Sequence, residues 1–404
     1  MHEVVITGIG IISVLGNSIE SVSTALYRGQ SGVIIDEERI GLGFESPLTG
    51  AITDFAPSSS LTRKQRKTMT DHAVQAHAAA MEALEMSGLQ PEEWQNDQTG
   101  IIFGCDSSCL APLEHVRLLK ERGETALIGS GGVFRSMTSN VTMNLNTLLK
   151  TQGASWSLSS ACSSGGHAVG QGAVLIASGQ QERIICGGAQ EINWQSMCSF
   201  DGLGAFASVG NSPEKACRPF DKDRTGLVPS GGAAVVILER RDLAVKRNAT
   251  ILGTLCGYGF SSDGEHLSVP SKTGLSRAGE MALNNSSLIP GDIDYVCAHA
   301  TATPAGDIAE ATNLKNLFAD HSPVISSLKS MTGHELWMSG ASQVVYTTLM
   351  AQKGFIAPNI NLETLTPEAE GLNITPKTIE RPPKKVLCNS AGFGGTNSCL
   401  VLSY

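Results

Sequence analysis

Cys162 lies within Ser155-Trp156-Ser157-Leu158-Ser159-Ser160-Ala161-Cys162-Ser163-Ser164-Gly165-Gly166-His167, followed by an Ala/Val/Leu/Ile-rich run to Ser178. The alternation over 156–160 suits a buried strand, the small residues allow a tight turn, and the apolar run suits a packed helix. A cysteine at such a turn feels the partial positive charge of the helix N-terminus, which favours thiolate and makes Cys162 a candidate nucleophile. The alternative is a buried small hydrophobe, as most cysteines are. His299 ends an apolar stretch at 295–298 and opens His299-Ala300-Thr301-Ala302-Thr303-Pro304-Ala305-Gly306-Asp307; Lys329 and His334 share Ser326-Ser327-Leu328-Lys329-Ser330-Met331-Thr332-Gly333-His334. Gly392-Phe393-Gly394-Gly395-Thr396-Asn397 is a glycine loop near the C-terminus. Taken singly, a histidine is usually structural and a glycine loop usually a turn. Together they supply a nucleophile, two imidazoles, a cation and backbone N–H groups able to approach an oxyanion, a set suited to acyl transfer through a thioester.

These groups need a scaffold of alternating strands and helices. A short apolar strand at 4–6 leads into Gly8-Ile9-Gly10, which reads as a tight turn. A dinucleotide fingerprint is disfavoured because Ser13 stands where its third glycine belongs. Helical patterns follow at 18–26 and 70–86, the second ended by Gly88, with a strand at 101–103 and a helix after Gly132. Runs at 183–186 and 232–238 are continuously apolar, which implies a sheet covered on both faces and a layered α/β architecture. Near Asn248 the chain begins again with a strand at 251–258, helices at 307–317 and from His334 to 350, and a hairpin of 386–390 with 398–402. The expected organisation is two related halves, 1–250 carrying Cys162 and 251–404 carrying His299, Lys329, His334 and the glycine loop.

With 404 residues, 41% hydrophobic, 44 glycines and only 17% charged residues, the chain can bury a large core without staples. A net charge of −9 argues against nucleic acid or an anionic membrane as the main partner. The ten cysteines include no Cys-x-x-Cys pair, so no zinc or other metal site is expected. The N-terminus reads as a first strand rather than a leader, and no apolar run reaches the length of a membrane span; a reduced, cytoplasmic protein is expected. The densest positive charge is Leu61-Thr62-Arg63-Lys64-Gln65-Arg66-Lys67, either a solvated helix face or a dock for an acidic protein.

The order and spacing of Ser160-Ala161-Cys162, of His299 with Thr301, Thr303, Pro304, Gly306 and Asp307, of Lys329 with Gly333-His334, and of the 392–397 loop resemble the β-ketoacyl-acyl-carrier-protein synthases. The likeness is nearest the synthase I type within the thiolase-like condensing enzymes, and runs essentially end to end. It implies a five-layered αβαβα fold and a decarboxylative Claisen condensation in fatty-acid elongation, with no cofactor, since the thioester itself acidifies the reacting carbon. By resemblance, Cys162 carries the acyl group, with its oxygen held by the Cys162 and Phe393 amides. His299 and His334, as neutral imidazoles, hold the enolate left by malonyl. Lys329 and Glu310 support the histidines, Lys329 by holding His334 electrostatically. Thr301, Thr303, Phe393 and Gly394 bind the substrate arm, and Phe393 gates the acyl chamber. Arg63, Lys64 and Lys67 dock an acyl carrier protein. A homodimer, or a heterodimer with a related subunit, is implied as well.

Three positions depart from the family pattern. Ala300 follows the first histidine where glycine is usual, a mild change unless the backbone there needs φ > 0. Gly333-His334-Glu335-Leu336-Trp337-Met338-Ser339-Gly340 replaces the usual Gly-His-x-x-Gly-Ala-Ala-Gly and adds large volume to a close-packed region. Ala391 stands where phenylalanine is frequent. These changes point to an altered substrate pocket or subunit interface, and leave open a ketosynthase of a specialised polyene or polyketide pathway, or a silent partner subunit.

Overall fold

The computed structural model describes residues 1–57, 61–208, 212–319 and 321–404. Ten strands form one mixed sheet: β1 Val4–Ser13, β2 Thr99–Gly104, β3 Ser155–Leu158, β4 Arg183–Gln190, β5 Gly232–Arg240, β6 Gly253–Ser262, β7 Tyr295–Cys297, β8 Val324–Ser326, β9 Lys385–Gly392 and β10 Thr396–Ser403. From its middle outward, one side runs β1-β5-β4-β2-β3 and the other β6-β10-β9-β7-β8, the same order repeated. Strand directions repeat too. β2 pairs parallel with β3 and β4, as β7 does with β8 and β9. The pairs β4–β5 and β5–β1 are antiparallel, as are β9–β10 and β10–β6. The two sides meet where Val4, Val5 and Ile6 pair with Leu255, Thr254 and Gly253.

Six helices complete the layers: α1 Asp71–Ser87, α2 Asn140–Leu149, α3 Ser164–Ala177, α4 Gly274–Ser286, α5 Pro304–Phe318 and α6 Ser339–Lys353. α3 and α6 pack on each other between the two sides of the sheet, α3 touching β2, β4 and β10, and α6 touching β4, β5 and β9. α1 and α2 cover one outer face; α4, with α5 packed on it, covers the other, giving the five-layered αβαβα arrangement of the thiolase fold. Strands covered on both faces explain the unbroken apolar runs: every residue of β1 and β4 is buried. Among the described residues no helix is long and apolar enough to cross a membrane.

Two local expectations fail for tertiary reasons. Gly8 and Gly10 are not a turn but lie inside β1, where a Cβ at Gly10 would stand 2.0 Å from the Ala79 carbonyl oxygen of α1. The glycines permit helix and strand backbones to touch. The strand before Cys162 is not buried: β3 is the edge of the sheet, and Trp156 is 41% exposed.

Candidate active site

Cys162 sits between the end of β3 and the first turn of α3, on a turn that depends on Ala161 in a left-handed conformation, φ 45°. Such strain, of about 1–3 kcal/mol, survives only where neighbours over-determine the backbone. Here the Ser163 and Ser164 hydroxyls donate to the Ser160 and Ala161 carbonyls, each at 2.6 Å. Thr396 Oγ1, from the glycine loop, donates to the Ser160 carbonyl at 3.0 Å and lies 2.9 Å from Ser163 Oγ. These bonds clamp the cysteine turn to the 392–397 loop. A Cβ on Gly392 would lie 3.0 Å from the Cys162 nitrogen, so glycine is what lets the 392–397 loop come this close to the Cys162 amide.

Burial works against the expected thiolate. Burial pushes the Cys162 thiol up to about 12, against the opposing pull of the Lys329 charge. Cys162 lies just ahead of α3, whose N-terminus favours the anion that burial disfavours.

His299 follows β7 and His334 occupies the loop before α6; their rings meet edge to face, with centroids 5.2 Å apart at 87°. Lys329 Nζ lies 3.5 Å from His299 Nδ1. The cation therefore contacts His299, and its field reaches His334 as well. His334 Nδ1 accepts from the Leu336 N–H at 3.3 Å and lies 3.2 Å from Ser339 Oγ. Donors at both Nδ1 atoms assign the ring proton to Nε2 in each imidazole. Burial, reinforced by Lys329, holds both histidines well below the usual imidazole range, so both are neutral. Glu310 Oε1, on α5, accepts the His299 N–H at 2.8 Å and Asn389 Nδ2 at 3.2 Å, fixing the strand end that carries the ring. Asp307 does the same one turn earlier, accepting the Phe220 and Ala302 N–H groups at 2.7 and 3.1 Å.

Cys162, His299 and His334 all line one cavity of about 410 Å³, together with Thr301, Thr303 and Phe393. The two threonine hydroxyls lie 3.0 Å apart. Phe393 is 40% exposed and stacks on Phe200 with centroids 6.0 Å apart. Gly394 is not in the lining: its N–H donates to the Leu267 carbonyl at 2.7 Å, which spends the amide on tying down the neighbouring loop. Arg63, Lys64 and Lys67 are elsewhere, lining a separate open groove of about 1180 Å³ with Arg66, and Lys67 Nζ donates to Ser130 Oγ at 3.1 Å. Ala300 is fully buried and outside the left-handed region, so the missing glycine costs no strain. Ala391 is in the cavity lining. Among the described residues no cluster of three or more His, Cys, Asp or Glu side chains could hold a metal ion.

Sequence reasoning missed Phe200, the apolar residues of His266-Leu267-Ser268-Val269-Pro270 and Glu335. Leu267 and Val269 carried a readable signal, two large apolar side chains in a polar loop, and they are 80% and 53% exposed beside the cavity. Glu335 carried none: its partners, the Ser342 and Tyr346 hydroxyls, are visible only once α6 is folded.

The Beta-ketoacyl synthase N-terminal domain family matches residues 1–244, and the Beta-ketoacyl synthase C-terminal domain family matches 252–363. The chain is 40% identical to 3-oxoacyl-[acyl-carrier-protein] synthase 1 of Haemophilus influenzae over 407 residues, covering 99% of this chain and 98% of that one. A β-ketoacyl synthase from Burkholderia phymatum superposes with a TM-score of 0.94 at 31% identity over 100% of this chain and 99% of its own. A ketosynthase solved in complex with its type II PKS acyl-carrier protein gives 0.90 at 25% identity, again over 100% and 99%.

Proposed function

The chain belongs to the β-ketoacyl synthase family, and from that premise we propose that it is a 3-oxoacyl-[acyl-carrier-protein] synthase elongating acyl chains by decarboxylative condensation. Cys162 sulfur attacks an acyl-carrier thioester while the Cys162 and Phe393 amides hold the tetrahedral oxygen. The bond to the carrier's sulfur breaks, the thiol proton passes to that departing sulfur, and the acyl-enzyme remains. A thiol resting at about 12 suits this exchange, because the proton needs only to move between two sulfurs. Malonyl-carrier then enters, its arm against Thr301 and Thr303. Its carboxylate leaves as CO₂ and the bonding pair becomes an enolate, whose oxygen accepts from the Nε2–H groups of His299 and His334. Neutral imidazoles hold that charge without handing over a proton, as imidazolium would. The enolate carbon attacks the acyl-Cys162 carbonyl, sulfur leaves and takes up one proton, and a 3-oxoacyl-carrier two carbons longer departs. Lys329 and Glu310 position His299.

The observation that carries this reading is the edge-to-face imidazole pair, each Nδ1 already facing a donor, on the cavity that also holds the thiol. Its test is incubation with acyl-carrier, with the mass of one acyl group expected on the Cys162 peptide. His299→Ala and His334→Ala should lose CO₂ release from malonyl-carrier. Acylation that persists in Cys162→Ala, or wild-type CO₂ release by both histidine variants, defeats it.

An acyl carrier protein is the partner in the related ketosynthase complex, and we propose the same here, with the groove of Arg63, Lys64 and Lys67 as its acidic-partner dock. The exposed edge of β3, with Trp156, Val133 and Phe134 also exposed, supports pairing with a second copy or a related subunit. Trp156→Asp should then lower the sedimenting mass. Ten unpaired cysteines support a reducing, cytoplasmic setting. A specialised polyketide-type pathway is the second reading, favoured by Trp337 in the apolar cluster around Cys162 and by the likeness to the type II PKS ketosynthase.

A further inference from the structure

We propose that Trp337 is the floor of the acyl chamber and restricts this enzyme to short acyl thioesters, an inference that rests on the acyl transfer to Cys162 proposed above. Phe200, Leu227 and Leu336 line the cavity together with Cys162, and Trp337 is not in that lining. Beyond that wall the space around Cys162 is closed by Met197, Phe206 and Trp337, only 1%, 7% and 6% exposed. The indole is locked at both ends. Its Nε1–H donates to Ser107 Oγ at 3.3 Å, at the end of β2. Its ring centre lies 6.3 Å from that of Phe200, which stacks in turn on Phe393. Behind it the backbone has no room to retreat: a Cβ on Gly188 of β4 would lie 2.9 Å from the Trp337 carbonyl oxygen and 2.8 Å from Met338 Cα.

A carrier arm held at Thr301 and Thr303 fills the open side of the cavity, so an acyl group on Cys162 must grow the other way, toward the indole. Each added methylene beyond the free space has to displace a side chain pinned by a hydrogen bond and by aromatic packing, and close-packed interiors resist this. The substitutions at 337 and 391 then act at different places. Ala391 enlarges the cavity that holds the arm, and Trp337 fills the apolar cluster around Cys162.

The test is a series of acyl-pantetheine thioesters, acetyl to myristoyl, with the rate of acyl-adduct formation on the Cys162 peptide read by mass spectrometry. The wild type should load decanoyl at least about 10-fold more slowly than acetyl, a margin typical of surplus methylenes at a tight apolar wall. Trp337→Ala should raise the decanoyl-to-acetyl ratio by about 10-fold or more, and Trp337→Phe, which keeps an aromatic ring and guards against a variant that fails to fold, should raise it part of the way. A wild type that loads decanoyl as fast as acetyl, or a ratio unchanged in both variants, overturns the inference while leaving Cys162 as the acyl carrier. No adduct with any chain length overturns the inference together with the acyl-transfer reading, and is recognised by its independence of length.

Discussion

Replacing Lys329 by methionine removes the only cation within hydrogen-bonding reach of His299 among the described residues while keeping most of the side-chain volume. At 3.5 Å from Nδ1, the ammonium opposes a proton on that nitrogen by about 5 kcal/mol at an effective dielectric constant of about 20. Both groups are buried, so solvent screens little of it. The sign follows directly: a positive neighbour lowers an imidazole pKa, so its removal raises it. Burial alone would then hold His299 neutral, and its titration midpoint should climb toward the usual imidazole range. The Nδ1 atom also loses its donor, which frees the tautomer and weakens the Nε2–H hold on the enolate. Loss of one charge-assisted hydrogen bond, about 1.5–3 kcal/mol, corresponds to about 10- to 100-fold in condensation rate. Titration of ¹³C-labelled histidine by NMR reads the first effect, and the pH profile of condensation the second, with the variant losing proportionately more rate on the acid side. A His299 midpoint unmoved by the substitution, with an unchanged acid limb, would refute the assignment of Lys329 to His299.

Two further outcomes follow from the cysteine turn. Because burial holds the Cys162 thiol up near about 12, its alkylation by iodoacetamide should rise about tenfold per pH unit throughout the neutral and mildly alkaline range; a plateau reached by neutral pH would mean that the helix end wins after all. Gly392→Ala puts a Cβ 3.0 Å from the Cys162 nitrogen and 2.9 Å from the Ser160 carbonyl oxygen, so the two amides must part. Acylation of Cys162 should fall by about 10²–10³, the usual worth of one oxyanion donor, with circular dichroism unchanged; a wild-type rate would remove the paired amides from the mechanism.

How much of this was legible in the chain depends on whether the deciding neighbour is near or far in sequence. The strand-turn-helix around Cys162 and the hairpin about Gly392 are local patterns, and both exist, the first as strand β3 with helix α3, without the expected burial of the strand, and the second as strands β9 with β10. The repeated start near Asn248 corresponds to β6, the counterpart of β1 in the repeated strand order. What failed was set by distant partners. Gly8 and Gly10 serve a helix more than sixty residues away, which no turn signal reports. Alternation over 156–160 gives a strand but not its place in the sheet, and Trp156 falls on an edge. The resemblance ties Lys329 to His334 through its charge, and no local signal reports that folding also carries the ammonium to His299, thirty residues back. The resemblance places Gly394 on the substrate arm, whereas the Leu267 carbonyl takes its amide.

The account stands on one thiol and two neutral imidazoles acting on the same pair of thioesters. The direct measurement is intact-mass analysis of carrier protein after mixing this enzyme with a short acyl-carrier and malonyl-carrier labelled at its central carbon. The account predicts a 3-oxoacyl-carrier lengthened by two carbons that retains the label, one CO₂ per product, and no such species with Cys162→Ala. Free acetyl-carrier as the sole product, or the same 3-oxoacyl mass from Cys162→Ala, would contradict it.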